Sequence, residues 1–559
     1  MKYIFLSLIS ALLLSISWPT YGIPFFIFFA FVPLLLMEQE ISKFSKINKK
    51  GWVVFGLTYL AFFIWNVVTT GWLCHAKNPD GNNSLLAVAI PVIVNSLLMS
   101  LVFQLYYWYK KVRGTYFGLV FFVAIWLSFE RFHLNWEFTW PWLNLGNAFS
   151  EYPQLIQWYD TIGATGGSFW ILLINVFAFY TLRIWQAGRI RKDLVKNISI
   201  LVAIIVLPLL ISIYKYNSYQ EKPVGEVTTL LLQPKLDPYT EKYSKDSLQI
   251  LGELLSLAEE NSKTKVDFFI APETAFPGNG SLSENGFNKS TSIAIAKEFL
   301  GKHPQSIFLT GASTHKFLFD EAETEDYSTK IQEGVWVNSY NSALQIIPNQ
   351  EVEVYHKAKL VPGVEIFPYI RYLKPILGDA MLDFGGANSS LGIDKERKVF
   401  SNTFNKAKMA PIICYESIYG EYVTDYVKNG ANLLAIMTND SWWDNTEGHK
   451  QLLSYARLRA IETRREIVRA ANSGISAHIN ARGDILQDTF YDDRTALLVK
   501  VNLLEEKSIY TKIGDLISRI AIFVLGFLII YHFGERIASK NNLSKFRLSF
   551  FEKITNLFV

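Results

Sequence analysis

Three residues of reactive type stand at the ends of strand-like apolar runs between positions 266 and 416 of this 559-residue chain. Glu273 follows FFIAP, Lys357 follows EVEVYH and Cys414 follows PII. A lone glutamate or lysine at a strand end is ordinarily a solvated rim group, but these three types together form a chemistry. A cysteine thiol has an ordinary pKa of ~8.5, so its attack on a carbonyl near neutral pH needs a neighbouring base or cation. Glu273 has the type to take that proton and return it to a leaving group, and Lys357 to hold the thiolate and the oxyanion that develops on the carbonyl. The region has no G-x-S-x-G elbow and its few histidines lack a metal-ligand spacing, so a thiol mechanism is preferred and no metal or organic cofactor is implied. The only other cysteine is Cys74, at the end of an apolar run, which excludes a disulfide framework. Unpaired cysteines are usually core, yet one kept in an oxidising compartment calls for a chemical reason.

The elements that would position these residues are short β-type runs alternating with helical stretches from residue 226 onward. The runs are VTTLLLQP (227–234), VDFFIAPE (266–273), SIFLTGAS (306–313), YNSALQIIP (340–348), PIICYE (411–416), NLLAIMTND (432–440) and a stretch through ANSGISAHIN (471–480). Helical periodicity covers 247–262 and 447–463. This pattern predicts an α/β domain over 226–505 with a covered sheet core, whose strand ends and loops project side chains into a common crevice.

The rest of the chain is of another kind. Half of all residues are hydrophobic and 15% aromatic, with mean hydropathy +0.17, too apolar for an ordinary soluble globule. Apolar segments at 4–18, 22–37, 52–74, 84–108, 115–132, 165–184, 198–214 and 513–532 predict a multi-pass helical membrane domain of about eight spans. Seven would lie in residues 1–215 and one at 513–532, with a tail at 533–559. Ser17-Trp18-Pro19 offers no small-x-small cleavage site, so the first is read as a retained helix. Basic residues fall in alternate loops: Lys43, Lys46, Lys49 and Lys50; Lys110, Lys111 and Arg113; Arg189, Arg191, Lys192 and Lys196. The positive-inside rule then puts both termini in the cytoplasm and 215–510 on the outer face. Net charge is only +4 and no basic recognition motif occurs, which sets nucleic acid aside. The stretch 136–170, rich in Trp, Pro and Gly, is too broken for a plain span and reads as re-entrant or interfacial, either an aromatic belt with packing glycines or a route for lipid.

The motifs APETAFP, YHKAKLVPGVE and PIICYES resemble the Glu-Lys-Cys triad motifs of the nitrilase superfamily, in the same order. With apolar helices before and after, and WPWLNLG at 140–146, nearly the whole chain resembles the apolipoprotein N-acyltransferases, which complete bacterial lipoprotein maturation. The resemblance implies an αββα nitrilase-like domain in the periplasm and a cytoplasmic-membrane location. It implies a ping-pong cycle through a cysteine thioester, with the sn-1 chain of a phospholipid such as phosphatidylethanolamine as donor and the α-amine of a diacylglyceryl-cysteine apolipoprotein as acceptor. Carried over motif by motif, Glu273 is the base, Lys357 the oxyanion-side cation and Cys414 the nucleophile. Glu365 matches the glutamate that holds the lysine, Tyr415 and Glu416 follow the nucleophile, and Asn341 resembles a further motif residue. The family's Lys-loop reads L-V-P-F-G-E, whereas here it is Leu360-Val361-Pro362-Gly363-Val364-Glu365. An early tryptophan of the family is not evident, and Tyr239 and Tyr243 are the candidates for its place.

Other residues carry alternatives. The apolar loop with Ile366, Phe367, Tyr369, Ile370, Tyr372, Leu373, Ile376 and Leu377 reads as a lipid-touching arm or a loop packed on the core. Trp442 and Trp443 read as an acyl pocket or a membrane anchor. His449, His478, Arg457, Arg459, Arg464 and Arg465 read as structural. The rival functions are a membrane-tethered amidase with the same triad and water as acceptor, and a transporter or lipid scaffold with a dead polar domain. About eight spans argue against the first and an intact triad against the second. The topology is testable by tagging: a tag at Lys263 is expected to react with an impermeant reagent in intact spheroplasts, and one after Lys553 is not. The reverse pattern overturns the outward placement of 215–510.

Overall fold

The computed structural model describes residues 1–43, 46–77, 83–188, 191–237, 245–276, 280–369, 372 and 390–540. Six of its helical stretches are long and apolar enough to cross a membrane: Pro24–Lys43, Lys50–His75, Leu85–His133, Tyr159–Gln186, Lys192–Ser218 and Leu516–Ile537. A shorter apolar helix, Lys2–Ser15, precedes them. Leu85–His133 has 49 residues and would run roughly 70 Å if straight, more than twice a bilayer core. Gly114, at φ 83° and ψ 176°, breaks it into two limbs. These are the two spans expected at 84–108 and 115–132, so each of the eight expected segments falls on helix.

The expected second segment, 22–37, is built in two parts. It is a 3₁₀ turn, Pro24–Phe29, followed by an α-helix, Val32–Lys43. Pro33 has no N–H to continue a helix from the preceding turn and instead sits in the first turn of the new one, where no donor is needed.

Two sheets form the α/β part. The first runs in the order Thr495–Leu503, Gly225–Gln233, Phe268–Ile270, Ile307–Leu318, Val335–Ile346, Thr329–Gln332, with Glu353–His356 also paired to Val335–Ile346. The second runs Ile485–Asp488, Ala477–Ile479, Ile467–Ala471, Leu433–Thr438, Lys408–Ile413, Phe400–Ser401. Side chains alternate in a strand, so each sheet serves two cores. Leu231, Phe268, Ile270 and Leu309 join one cluster with Ile412, Leu434 and Ile436 of the second sheet. Leu230, Leu232, Phe269 and Phe308 join another with Leu251, Leu254 and Phe299 of helices Ser247–Asn261 and Thr291–Lys302. The second sheet is backed by Gly420–Lys428 and Glu447–Thr463, completing an αββα sandwich. The run expected as one strand through 471–480 is two, ending at Ala471 and restarting at Ala477, because Asn472 and Ser473 leave the ladder to bond neighbouring loops.

The stretch 136–170 lies beneath the sandwich as three short 3₁₀ turns, Pro141–Leu143, Leu145–Phe149 and Pro153–Leu155, before the helix Tyr159–Gln186 begins. Trp142 Nε1 donates to Gln451 Oε1 at 2.6 Å, and Tyr455 Oη donates to the Trp142 carbonyl at 3.0 Å. Arg464, at the C-terminal end of the helix Glu447–Thr463, donates to Asp160 and Gln157. The membrane half and the second sheet's helix layer therefore share one apolar cluster laced with buried hydrogen bonds. Trp142, 1% exposed, sits at its centre. Trp142→Ala is expected to cost about 3–5 kcal/mol and lower the thermal midpoint by several degrees, whereas Leu486→Ala at an exposed position stays within about 0.5 kcal/mol. Thermal unfolding in detergent checks both.

Candidate active site

Glu273, Lys357 and Cys414 meet where the two sheets face each other. Strand Lys408–Ile413 pairs in parallel with Leu433–Thr438, Ile413 opposite Met437, which sets Cys414 beside Thr438 at a common strand end. In the first sheet Ser342 pairs with His356, so Asn341 lies beside Lys357, whose N–H donates to the Asn341 carbonyl at 2.8 Å. Glu273 leaves the end of Phe268–Ile270 over the neighbouring strand at Gly311. A Cβ on Gly311 would lie 2.6 Å from the Glu273 Cα, so only glycine lets the strand pass that close.

The lysine is the hub. Its Nζ donates to Glu273 Oε1 at 2.9 Å and to Glu365 Oε1 at 2.8 Å. Asn341 Nδ2 donates to the same two oxygens, each at 2.8 Å. Glu273 Oε2 accepts the Asn439 N–H at 3.2 Å, and Glu365 Oε2 accepts the Val361 N–H at 2.8 Å. Burial alone would push the Lys357 ammonium down, but Glu273, Glu365 and then Cys414 hold it well above the ordinary lysine value, so it stays charged. For Cys414 burial is the largest influence and pushes the thiol well up, with Glu273 adding to it. Lys357 and a hydrogen bond with Thr438 pull the other way without cancelling the rise. The resting thiol is therefore protonated, beside a carboxylate and an ammonium.

Cys414 has φ +46°, left-handed backbone that costs a non-glycine residue on the order of 1–3 kcal/mol and persists only where surroundings enforce it. The enforcement comes from the turn Cys414–Ile418. Glu416 Oε2 accepts the Ile413 N–H at 2.8 Å, and its Oε1 accepts Tyr355 Oη at 2.7 Å and the Ala358 N–H at 2.8 Å. Ser417 Oγ donates to the Cys414 carbonyl at 2.7 Å, and Tyr415 Oη donates to the Thr139 carbonyl at 3.0 Å. Glu416 thus joins the cysteine turn to the lysine loop, and Tyr415 joins it to the membrane half.

Two family models match the chain. One described as the apolipoprotein N-acyltransferase N-terminal domain covers residues 10–177, and one described as carbon-nitrogen hydrolase covers 232–505, the part that carries all three residues. The chain belongs to the apolipoprotein N-acyltransferase family. It is 28% identical to the apolipoprotein N-acyltransferase of Chlorobaculum tepidum, over 94% of this chain and 96% of that one. It is 26% identical to apolipoprotein N-acyltransferase 1 of Treponema denticola, over 95% and 97% respectively. Nit3 of Saccharomyces cerevisiae, a member of branch 10 of the nitrilase superfamily, aligns with 51% of this chain and 93% of its own, at 14% identity and TM-score 0.36.

In this family member the substrate candidates separate. Trp443 packs on Trp72 and Trp142, ring centroids 5.0 and 6.0 Å apart, so it joins the sandwich to the membrane half. Trp442 beside it is half-buried. Tyr369 lies 5.7 Å from Phe138 and its N–H donates to Glu137, while Lys359 Nζ donates to the Leu134 carbonyl at 3.1 Å. The described part of the apolar loop, which includes half-buried Phe367, accordingly runs against the 134–138 segment of the membrane half. Tyr239 and Tyr243, and Ile370, Leu373, Ile376 and Leu377, lie outside the described residues. The exchanged Gly-Val order in the Lys-loop gives a turn in which Gly363 has φ +81° and its N–H donates to the Ile366 carbonyl at 2.8 Å.

The arginines and histidines expected to be structural sit in ion pairs and hydrogen bonds of the fold. Arg457 pairs with Glu151, Arg464 with Asp160 and His478 with Glu466, while Arg465 donates to the carbonyls of Ala431 and Glu506. His449 is buried and contacts Asn445. Sequence reasoning missed His356, whose strong flanking signals, Lys357 and a strand end, drew attention past it. Its Nδ1 meets Asp394 at 2.9 Å and its Nε2 meets Glu284 at 2.8 Å, while its N–H donates to Asp394 Oδ2 at 2.9 Å, fixing the peptide that leads to Lys357. Burial would push the imidazole down, but Asp394 and Glu284 overcome it and raise it to about 9. Stability from this group is present in full below the ordinary histidine value of ~6.5 and is lost as pH climbs to about 9. His356→Gln is expected to destabilise by up to ~3 kcal/mol at pH 6, with the gap to wild type closing by pH 9.5. Thermal midpoints at the two pH values check this, and a pH-independent gap contradicts it.

Proposed function

We propose that this acyltransferase takes a fatty acyl chain from a membrane phospholipid and gives it to the N-terminal α-amine of a diacylglyceryl-cysteine apolipoprotein, with Cys414, Glu273 and Lys357 as its catalytic residues. The observation that carries the reading is the meeting of a protonated thiol with a carboxylate and a locked ammonium, in a chain whose described residues include six long apolar helices. As the sulfur attacks the ester carbonyl, the thiol proton passes to Glu273 and the carbonyl oxygen gains the negative charge that Lys357 stabilises. Collapse breaks the ester C–O bond, Glu273 returns the proton to the departing lysophospholipid hydroxyl, and a thioester remains. The lipoprotein amine then attacks that carbonyl, an amine proton leaves through Glu273, the C–S bond breaks and the thiol is restored.

Glu365 and Asn341 act through Lys357 and Glu273 in this reading, aiming the ammonium and holding the two carboxylates apart from each other. The support for that role is that every polar contact of Glu365 above serves either the lysine, Asn341 or its own turn. Phosphatidylethanolamine as donor, its sn-1 chain, the cytoplasmic membrane of a bacterium, a periplasmic α/β domain and cytoplasmic termini belong to the same proposal, supported by the alternating basic loops and by the family. Water as acceptor, the amidase alternative, fits the carbon-nitrogen hydrolase match over 232–505 but leaves the N-acyltransferase match over 10–177 without a use.

The test is incubation of the purified chain with phospholipid alone. Intact mass is expected to rise by one acyl chain on Cys414 and to fall again with neutral hydroxylamine, or with a diacylglyceryl peptide that becomes N-acylated. Cys414→Ala abolishes the adduct and Cys74→Ser keeps it. Glu273→Gln slows its formation by about 10²–10⁴-fold. An adduct that persists in Cys414→Ala, or release of free fatty acid without amine acylation, overturns the reading.

A further inference from the structure

The turn that carries Cys414 is held a second time, from a direction the mechanism does not use. Arg459, on the helix Glu447–Thr463, donates from Nη1 to the Ile418 carbonyl and, at 3.5 Å, to the Ser417 carbonyl. Its Nε lies 2.7 Å from Glu462 Oε2, one turn along the same helix. Glu462 Oε1 accepts the Ala164 N–H at 2.8 Å. Ala164 directly follows Gly163, whose φ of 67° and ψ of −178° interrupt the membrane helix Tyr159–Gln186. After such a break the first N–H groups of the continuing helix have no partner within it, and Glu462 caps one. Both ionic side chains are almost wholly buried, Arg459 at 2% and Glu462 at 0% exposure. A buried pair of this kind adds little stability over apolar residues of equal volume, so a directional task is the better reason for it.

That task is visible in what surrounds the pair. Gly420 opens the helix Gly420–Lys428 two residues beyond Ile418, and a Cβ there would lie 2.8 Å from Glu462 Oε2 and from Tyr510 Oη. Tyr510 Oη in turn donates to Asp515 at 2.6 Å, and Asp515 accepts Thr165 Oγ1 at 3.1 Å. The backbone on the far side of the cysteine turn is thus fitted against the same kink of the membrane helix by two routes. A cavity lined by Glu130, Ser168, Arg459, Glu462 and Asp515 lies between them.

We propose that Arg459 and Glu462 are positioning residues for Cys414, tying the carbonyls of its turn to the Gly163–Ala164 kink so that the membrane half sets where the sulfur stands. This rests on Cys414 being the acylated residue. An error of about 1 Å in a reacting atom can cost ~10²-fold in rate, while binding of the lipid chains is untouched. Arg459→Gln in the full chain is therefore expected to lower kcat for thioester formation by about tenfold or more with the phospholipid KM within about twofold. Arg459→Lys, which keeps a cation able to reach Ile418 and Glu462, recovers most of the rate. Where Arg459→Gln does not accumulate, Glu462→Gln is read instead; it keeps the acceptor for the Ala164 N–H, removes the counter-ion and gives the same kcat-selective loss. Cys414→Ala run alongside separates the two layers of the argument. An adduct in Cys414→Ala removes the nucleophile assignment itself. With Cys414→Ala inert, full kcat in both other variants, equal losses in kcat and lipid affinity, or no recovery in Arg459→Lys overturns the positioning role alone.

Discussion

An ammonium ion withdrawn from water must be surrounded by anions in good geometry or it is not tolerated, and Lys357 at 1% exposure is the severest such demand in the α/β domain's candidate site. Its partners arrive from separate elements. Glu273 comes from the loop after Phe268–Ile270, Asn341 from within Val335–Ile346, and Glu365 from the turn eight residues on. A slip of one residue in any of those strands would turn its side chain to the opposite face and strand the charge. The site therefore fixes the register of the first sheet as much as the sheet fixes the site.

The second sheet contributes the sulfur, and something must hold the two sheets at the right offset. Glu416 does so by accepting hydrogen bonds from Tyr355 and Ala358 on the lysine side and from Ile413 on the cysteine side. Arg397 lies against the same tyrosine, its guanidinium over the Tyr355 ring at 5.9 Å. The clamp is polar on every side, and buried polar groups with one satisfying arrangement specify that arrangement more sharply than apolar contact does. The same logic extends to the membrane half, where Trp142, Gln451, Arg464 and Asp160 bond across the junction instead of merely touching. Two halves joined this way share one core.

Legibility in the sequence followed the range of the physics. Alternation and apolar length are local, so the strands at 227–234 and 306–313, the helices at 247–262 and 447–463 and the membrane segments could be read directly. The meeting of Glu273, Lys357 and Cys414 could be read because strand ends in α/β folds converge. The kink at Gly114 and the Pro33 restart were written in single residues yet changed how segments were joined. What could not be read was pairing across distance. Trp443 as a partner of Trp72, 371 positions earlier, has no local signal. The register that sets Cys414 beside Thr438, and the path from Arg459 to Ala164, likewise exist only once the sheets and helices are stacked. The Trp-rich stretch at 136–170 was legible as broken backbone, but its bonding to the helix Glu447–Thr463 through Trp142 was not.

In the proposed reaction the Cys414 thiol has to stay intact between turnovers, and the burial that raises its pKa also shields it. Oxidants and disulfide exchange act on thiolate, and burial holds the sulfur protonated and 6% exposed. The cost is a poor resting nucleophile. Under the proposed mechanism Glu273 removes that cost by accepting the proton as the S–C bond forms, and Lys357 receives the negative charge at the moment it appears. Surplus carboxylate around the lysine, two against one, is then consistent: one carboxylate keeps the ammonium in place while the other carries the proton. Protection of the sulfur and its activation thus come from the same burial, with the charge balance around Lys357 deciding which is in force.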